Sequence, residues 1–164
     1  MLRTIIFAAA IAVPNLAHAA DCTLSDARYT QDDAAWWLTL KRVPRFAPVN
    51  QVAAFYLELP NSGVTLEGAI SVPNGFGSPL WRISGPCGPD SAESCQFLED
   101  YEHPSAYGLY GNRIGFFEHG EGAVVPDQLI LPGVARALWY SNLRTEWDDN
   151  ADGPGDAFKL VGCD

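Results

Sequence analysis

Residues 51–72 read Gln51-Val52-Ala53-Ala54-Phe55-Tyr56-Leu57-Glu58-Leu59-Pro60-Asn61-Ser62-Gly63-Val64-Thr65-Leu66-Glu67-Gly68-Ala69-Ile70-Ser71-Val72. In the second half, Val64, Leu66, Ile70 and Val72 fall on one side of an extended chain, and Thr65, Glu67 and Ser71 fall on the other. In the first half, Ala53, Phe55, Leu57 and Leu59 share a side opposite Glu58. A period of two is the signature of a strand with one buried and one wet face. Between the runs, Pro60-Asn61-Ser62-Gly63 is a turn with a mechanism, since proline fixes φ and glycine accepts φ > 0. The stretch predicts an antiparallel hairpin.

Outward from it, further short apolar runs predict strands at 35–43, 80–84, 113–118, 123–125, 128–131 and 158–161, separated by Gly, Pro, Asn and Asp clusters. Segment 134–147 supports two readings. Ala135, Trp139, Leu143 and Trp147 recur at helical spacing, while Arg136, Leu138 and Tyr140 alternate as in a strand. No repeat appears at periods of about 20 to 50 residues. The expectation is an all-β, mainly antiparallel fold: a single-domain β-sandwich or jelly-roll-like barrel, with a short C-terminal helix as the open alternative over 134–147.

Composition narrows the classes of partner. The chain has 164 residues, 48% hydrophobic and 12% aromatic, which excludes intrinsic disorder and fits one domain. Ten Lys and Arg against twenty Asp and Glu give a formal net charge of −10, which excludes a nucleic-acid partner, whose phosphates demand a basic stripe. Residues 1–19 read as a secretory signal: Arg3 is the basic end, 5–13 is an unbroken apolar run, and Ala17-His18-Ala19 supplies the small residues before cleavage. That run is shorter than the roughly 20 residues a spanning helix needs, and none like it recurs, so no transmembrane segment is expected. Residues 20–164 then form one disulfide-stapled domain in the periplasm or the external medium.

All four cysteines lie in that part. An even number in an oxidising compartment predicts two disulfides, with three connectivities possible. The chain ends of a compact domain often meet, which favours Cys22 with Cys163. The turn-like residues 88–94 between Cys87 and Cys95 favour the second pair. Neither a redox C-x-x-C nor a zinc-thiolate spacing is present.

The most specific chemical signal is Asp148-Asp149-Asn150-Ala151-Asp152-Gly153-Pro154-Gly155-Asp156. Asp148, Asn150, Asp152 and Asp156 stand at positions 1, 3, 5 and 9, with Gly153 at position 6. Alternate oxygen donors on a tightly coiled loop converge on a hard cation. The stretch resembles the first half of an EF-hand loop and, more closely, the calcium loops of thrombospondin type 3 repeats. The resemblance covers nine residues and implies Ca2+ ligation by those four side chains, with the Pro154 carbonyl as a further candidate donor. Position 12 is Lys159, where an EF-hand has a bidentate Glu, so a complete EF-hand is excluded. The competing reading is a solvated acidic turn.

Residues 101–117 are rich in aromatics and glycine, and Tyr107 and Tyr110, joined by Trp81, form the candidate ligand-binding surface, since Tyr and Trp offer a rigid apolar face with a polar tip. Adjacent Trp36 and Trp37 must face opposite sides of a strand, so one lies on the second face of the sheet. His103, His119 and Glu121 could hold a metal such as zinc. No G-x-S-x-G elbow, H-E-x-x-H or free cysteine accompanies them, which points away from an enzyme. The functional expectation is an exported, acidic binding module for a glycan or protein partner, with a Ca2+-ordered C-terminal loop. The alternatives are a small metal-dependent hydrolase using His103, His119 and Glu121, or a structural envelope protein.

Thermal unfolding of the oxidised protein in Ca2+ against chelator tests the loop. At free Ca2+ ten times the dissociation constant, linkage predicts about 1.4 kcal/mol, a rise of a few degrees that Mg2+ does not reproduce and Asp152→Ala abolishes. An unshifted curve at millimolar Ca2+ reduces the loop to an acidic turn.

Overall fold

The computed structural model describes residues 22–75, 77–98, 103–144 and 154–163. The expected signal at 1–19 lies outside them. Ten strands follow in chain order: β1 (Ala27–Thr30), β2 (Trp37–Lys41), β3 (Gln51–Leu59), β4 (Val64–Ser71), β5 (Leu80–Pro86), β6 (Ser94–Gln96), β7 (Tyr107–Tyr110), β8 (Arg113–Phe116), β9 (Gln128–Ile130) and β10 (Ala157–Cys163). Among the described residues one short α-helix, α1 (Val134–Trp139), lies between β9 and β10. The strands pair antiparallel in a single sheet ordered β6-β5-β4-β3-β2-β1-β10-β9-β7-β8. The expected all-β antiparallel fold is therefore what forms, as one continuous sheet curled into a half-barrel. Curling carries β5 back toward β7: Leu80 bridges Ser105, Trp81 N–H donates to Pro104 O at 3.0 Å, and Ala106 N–H donates to Pro79 O at 2.8 Å. Among the described residues no helix is long and apolar enough to cross a membrane.

The predicted hairpin is β3–β4. Ala53, Phe55, Leu57 and Leu59 are buried and lie opposite Ile70, Gly68, Leu66 and Val64 in turn. In the turn, Gly63 has φ +70° and donates its N–H to Leu59 O at 2.9 Å. The same inward face continues across the sheet, with Leu38 and Leu40 of β2 opposite Leu57 and Phe55, and Trp81 and Ile83 of β5 opposite Ile70 and Gly68. Phe158 of β10 and Leu129 of β9, cross-strand neighbours, extend this core, and α1 adds Val134 and Leu138. Gly68 is required by space: a Cβ there would lie 2.0 Å from Phe55 Cζ. The Phe55 ring lies over the bare backbone of its cross-strand neighbour, a place only glycine provides.

Both expected disulfides are present. Cys22–Cys163 has its Cα atoms 5.6 Å apart, and Cys87–Cys95 has them 4.9 Å apart. They are consistent with an oxidising compartment. Segment 134–147 resolves to a helix in its first part, and residues 145–147 lie outside the described residues. Of the expected helical set Leu143 is buried beyond the helix, but within α1 the inward residues are Val134 and Leu138, whereas Trp139 is exposed and Ala135 half-buried. Residues 123–125, expected as a strand, are not one. Gly120 and Gly122 both take positive φ, and Ala123 N–H closes a turn on Gly120 O, which bends the chain away from the sheet.

Replacing Gly68 by alanine drives a methyl into the Phe55 ring and is expected to destabilise by about 1 to 3 kcal/mol, the usual cost of overpacking. Differential scanning calorimetry should show a melting temperature several degrees lower. Adding Phe55→Leu should recover part of the loss.

Candidate functional site

β7 and β8 form the last hairpin of the sheet, and β9 joins it to β10. Alternation along these strands decides what each side presents. Gly108 pairs with Leu129 and Gly115, and Leu129 is fully buried, so this side faces the core. The other side carries Tyr107, Leu109, Ile114, Phe116 and Ile130, with one polar residue, Gln128: Tyr107 lies opposite both Phe116 and Ile130, and Leu109 lies opposite both Ile114 and Gln128. The Tyr107 and Phe116 rings stack with centroids 5.3 Å apart and planes inclined by 23°. Ile114 is 65% exposed and Phe116 49%, while Tyr107, Leu109 and Ile130 are half-buried. The result is a contiguous apolar outer patch on a wing that ends at β8, a strand with no further neighbour among the described residues.

Tyr110 lies on the opposite side. It is three residues from Tyr107, and an odd separation along a strand reverses the side chain. Its ring occupies the space over Gly108, where a Cβ would meet Tyr110 Cζ at 2.6 Å, and the Arg113 guanidinium stacks on it at 5.2 Å. Its hydroxyl accepts from Glu118 N–H at 2.7 Å and donates to Phe116 O at 3.4 Å. Burial raises its phenol above the ordinary range; the Glu118 N–H bond offsets part of this, the Glu118 charge adds to the rise, and Arg113 lowers it least. Tyr29, fully buried in β1, is raised further by burial, then by Tyr110 and Asp127. These are groups kept neutral to brace the sheet.

Trp81 leaves the expected aromatic surface altogether. It is fully buried, on the inward side of β5 beside Ile70, because residues 81 and 83 carry the core face of that strand. The expected trio is thus distributed over the core, the inner side of the wing and its outer side, and only Tyr107 belongs to the patch. Leu109, Ile114 and Ile130 were not singled out in the sequence. Their signal was available once Tyr107 was placed on a strand, since 107 and 109, and 114 and 116, are spaced by two. Trp37 turns outward as the adjacent-tryptophan argument required, and the Arg28 guanidinium covers it at 4.4 Å.

The histidines do not converge. His103 borders a cavity of about 170 Å3 with Pro48, Ser71 and Arg82. His119 and Glu121 border a separate open depression with Phe116 and Phe117. Among the described residues no three His, Cys, Asp or Glu side chains come together to hold a metal ion. The cavity of about 490 Å3 between α1 and the Cys87–Cys95 loop is lined by Phe97, Leu98, Arg136, Ala137 and Tyr140, with no histidine or carboxylate lining it among the described residues.

Of the expected calcium ligands, Asp148, Asn150 and Asp152 lie outside the described residues. Asp156 has a clear local role. One carboxylate oxygen accepts from Gly133 N–H at 2.8 Å and the other from Ala135 N–H at 3.4 Å, capping the start of α1, where the orphan amides and the helix dipole favour an anion. Lys159, at the place of the EF-hand glutamate, forms an ion pair with Asp32.

Comparison with known proteins finds no family model that matches the chain, no matching curated protein and no matching solved structure.

The capping role makes Asp156 important whether or not a cation is present. Asp156→Ala should lower stability by about 1 kcal/mol in chelator, measured by urea unfolding with an unchanged denaturant slope. Equal stability of variant and wild type in chelator would show that the cap contributes nothing.

Proposed function

We propose that this chain is a non-enzymatic binding module, and that the outer side of the β7–β8–β9 wing receives a protein partner. The observation that carries the reading is the contiguous apolar patch of Tyr107, Leu109, Ile114, Phe116 and Ile130 beside an open sheet edge. Soluble proteins normally protect terminal strands with charge, proline or a covering element, because a free edge recruits other strands. Here the exposed positions of β8 include Ile114 and Phe116. An edge that supplies backbone hydrogen bonds and a side that supplies apolar contacts together match an added strand from another polypeptide. Leu109, Ile114 and Ile130 offer no hydrogen bonds to sugar hydroxyls, which favours a protein over the glycan alternative.

A photo-crosslinking residue in place of Ile114 or Phe116, introduced into the full-length protein in its native cells, tests the reading. Both positions should give an adduct with the same protein, and a label at Glu58, on the other half of the sheet, should not. Adducts that are absent, or equally frequent at Glu58, would sink the proposal.

A further inference from the structure

The few cations of this acidic chain are not spread evenly. Lys41 ends β2, Arg42 and Arg45 follow it in the loop to β3, and Arg82 reaches the same region from β5. The outward register places Lys41 opposite Ala54, Ala54 opposite Ala69, and Ala69 opposite Arg82. Two alanines thus form the low floor of a groove of about 360 Å3, with Lys41 and Arg42 on one bank and Arg82 on the other. Among the described residues, Glu67 is the one carboxylate lining it. The ion pairs found among the described residues, Arg113 with Glu118 and Lys159 with Asp32, involve none of these cations. Lys41 instead lies 5.9 Å from the centre of the Tyr56 ring.

The adjoining loop, residues 42–50, adds a second and different feature. Phe46 is 95% exposed and Val49 is fully exposed, the two most exposed large apolar side chains among the described residues. They do not sit on loose chain. Ala47 N–H donates to Pro44 O at 3.0 Å, Gln51 N–H to Pro48 O at 2.9 Å, and Val72 N–H to Asn50 O at 2.8 Å. Two proline-initiated turns therefore hold the loop out with little conformational entropy left to lose.

We propose that this loop and groove form a peripheral docking site for an anionic phospholipid surface, with Lys41, Arg42, Arg45 and Arg82 meeting headgroup phosphates and Phe46 and Val49 entering the acyl boundary. A soluble anion would satisfy the cations and leave the braced apolar tip without a role. A lipid interface satisfies both, since it offers negative charge directly above hydrocarbon. The net charge of −10 does not oppose this docking, because carboxylates more than about 8 Å away are screened at physiological ionic strength, and the local cations decide. The site is on the half of the sheet remote in strand order from the β7–β8 wing and stands independently of the protein-binding reading.

Co-sedimentation of the oxidised protein with vesicles tests the proposal, using phosphatidylglycerol mixed with phosphatidylcholine against phosphatidylcholine alone. Binding is expected to the mixed vesicles only, and to fall as salt is raised. Phe46→Ser with Val49→Ser should weaken partitioning by about tenfold or more at an unchanged unfolding midpoint, and Arg42→Glu with Arg82→Glu should abolish it. Three results would each overturn the proposal: no binding to the mixed vesicles, binding indifferent to these substitutions, or capture of inorganic phosphate or polyglutamate without vesicle binding. The last would reassign the groove to a soluble anion or an acidic protein.

Discussion

The pairing of β1 with β10 is the constraint on which the rest of the sheet depends. These strands come from opposite ends of the described chain, yet they lie side by side in the middle of the strand order, with β2 to β6 on one flank and β9, β7 and β8 on the other. Remove that seam and the sheet becomes two wings, each with an additional open edge, joined only by the few contacts of Leu80 and Trp81 with Pro104 and Ser105 and of Pro79 with Ala106 among the described residues. The seam is short, since Ala27–Thr30 supplies only four residues and their register slips between Arg28 and Tyr29. It is reinforced accordingly. Cys22–Cys163 closes a separation of 141 residues, Lys159 pairs with Asp32, and Tyr29 donates from the core to Pro126 O at 3.3 Å. In the chain-entropy model a covalent link across so long a loop contributes on the order of 4 to 5 kcal/mol, comparable with the net stability of a small protein. Pairing that spans the chain also implies slow folding relative to a helical protein of this size, because the closure entropy is lost before the contacts form.

Legibility in the sequence followed the strength of local alternation. The β3–β4 hairpin was readable because eight inward positions are apolar or glycine and the turn has its own chemistry in Pro60 and Gly63. β1 was not, since Ala-Arg-Tyr-Thr is too short and mixed to show a period, and its assignment comes from partners on both sides. β6 is three residues of Ser-Cys-Gln, kept in the sheet by pairing to β5 and by the Cys87–Cys95 bridge. β7 was hidden by Gly108, whose missing side chain erases the inward signal at the position where Tyr110 packs. Conversely, 123–125 was apolar enough to suggest a strand, and two glycines with positive φ overrode it.

The functional surface was less legible for a related reason. Closeness in sequence suggests one aromatic platform, but a sheet separates neighbours by parity and unites residues from distant strands by register. Tyr107 and Tyr110 were divided by parity. Tyr107, Phe116 and Ile130 were joined by register, which becomes known only once β7 has been located between β8 and β9. The groove at Lys41 and Arg82 shows the same principle, since those residues stand 41 positions apart in sequence and meet only through the two alanines between them.

The disulfide between Cys22 and Cys163 also determines how the molecule would respond to force. Tension applied at the two ends of the described chain enters at two Cα atoms 5.6 Å apart and passes directly across a covalent bond. The strands between those ends bear none of that load while the bridge is intact. The oxidised molecule would be mechanically inextensible when held by its ends, and reduction would transfer the strain to the weakest ladder in the sheet.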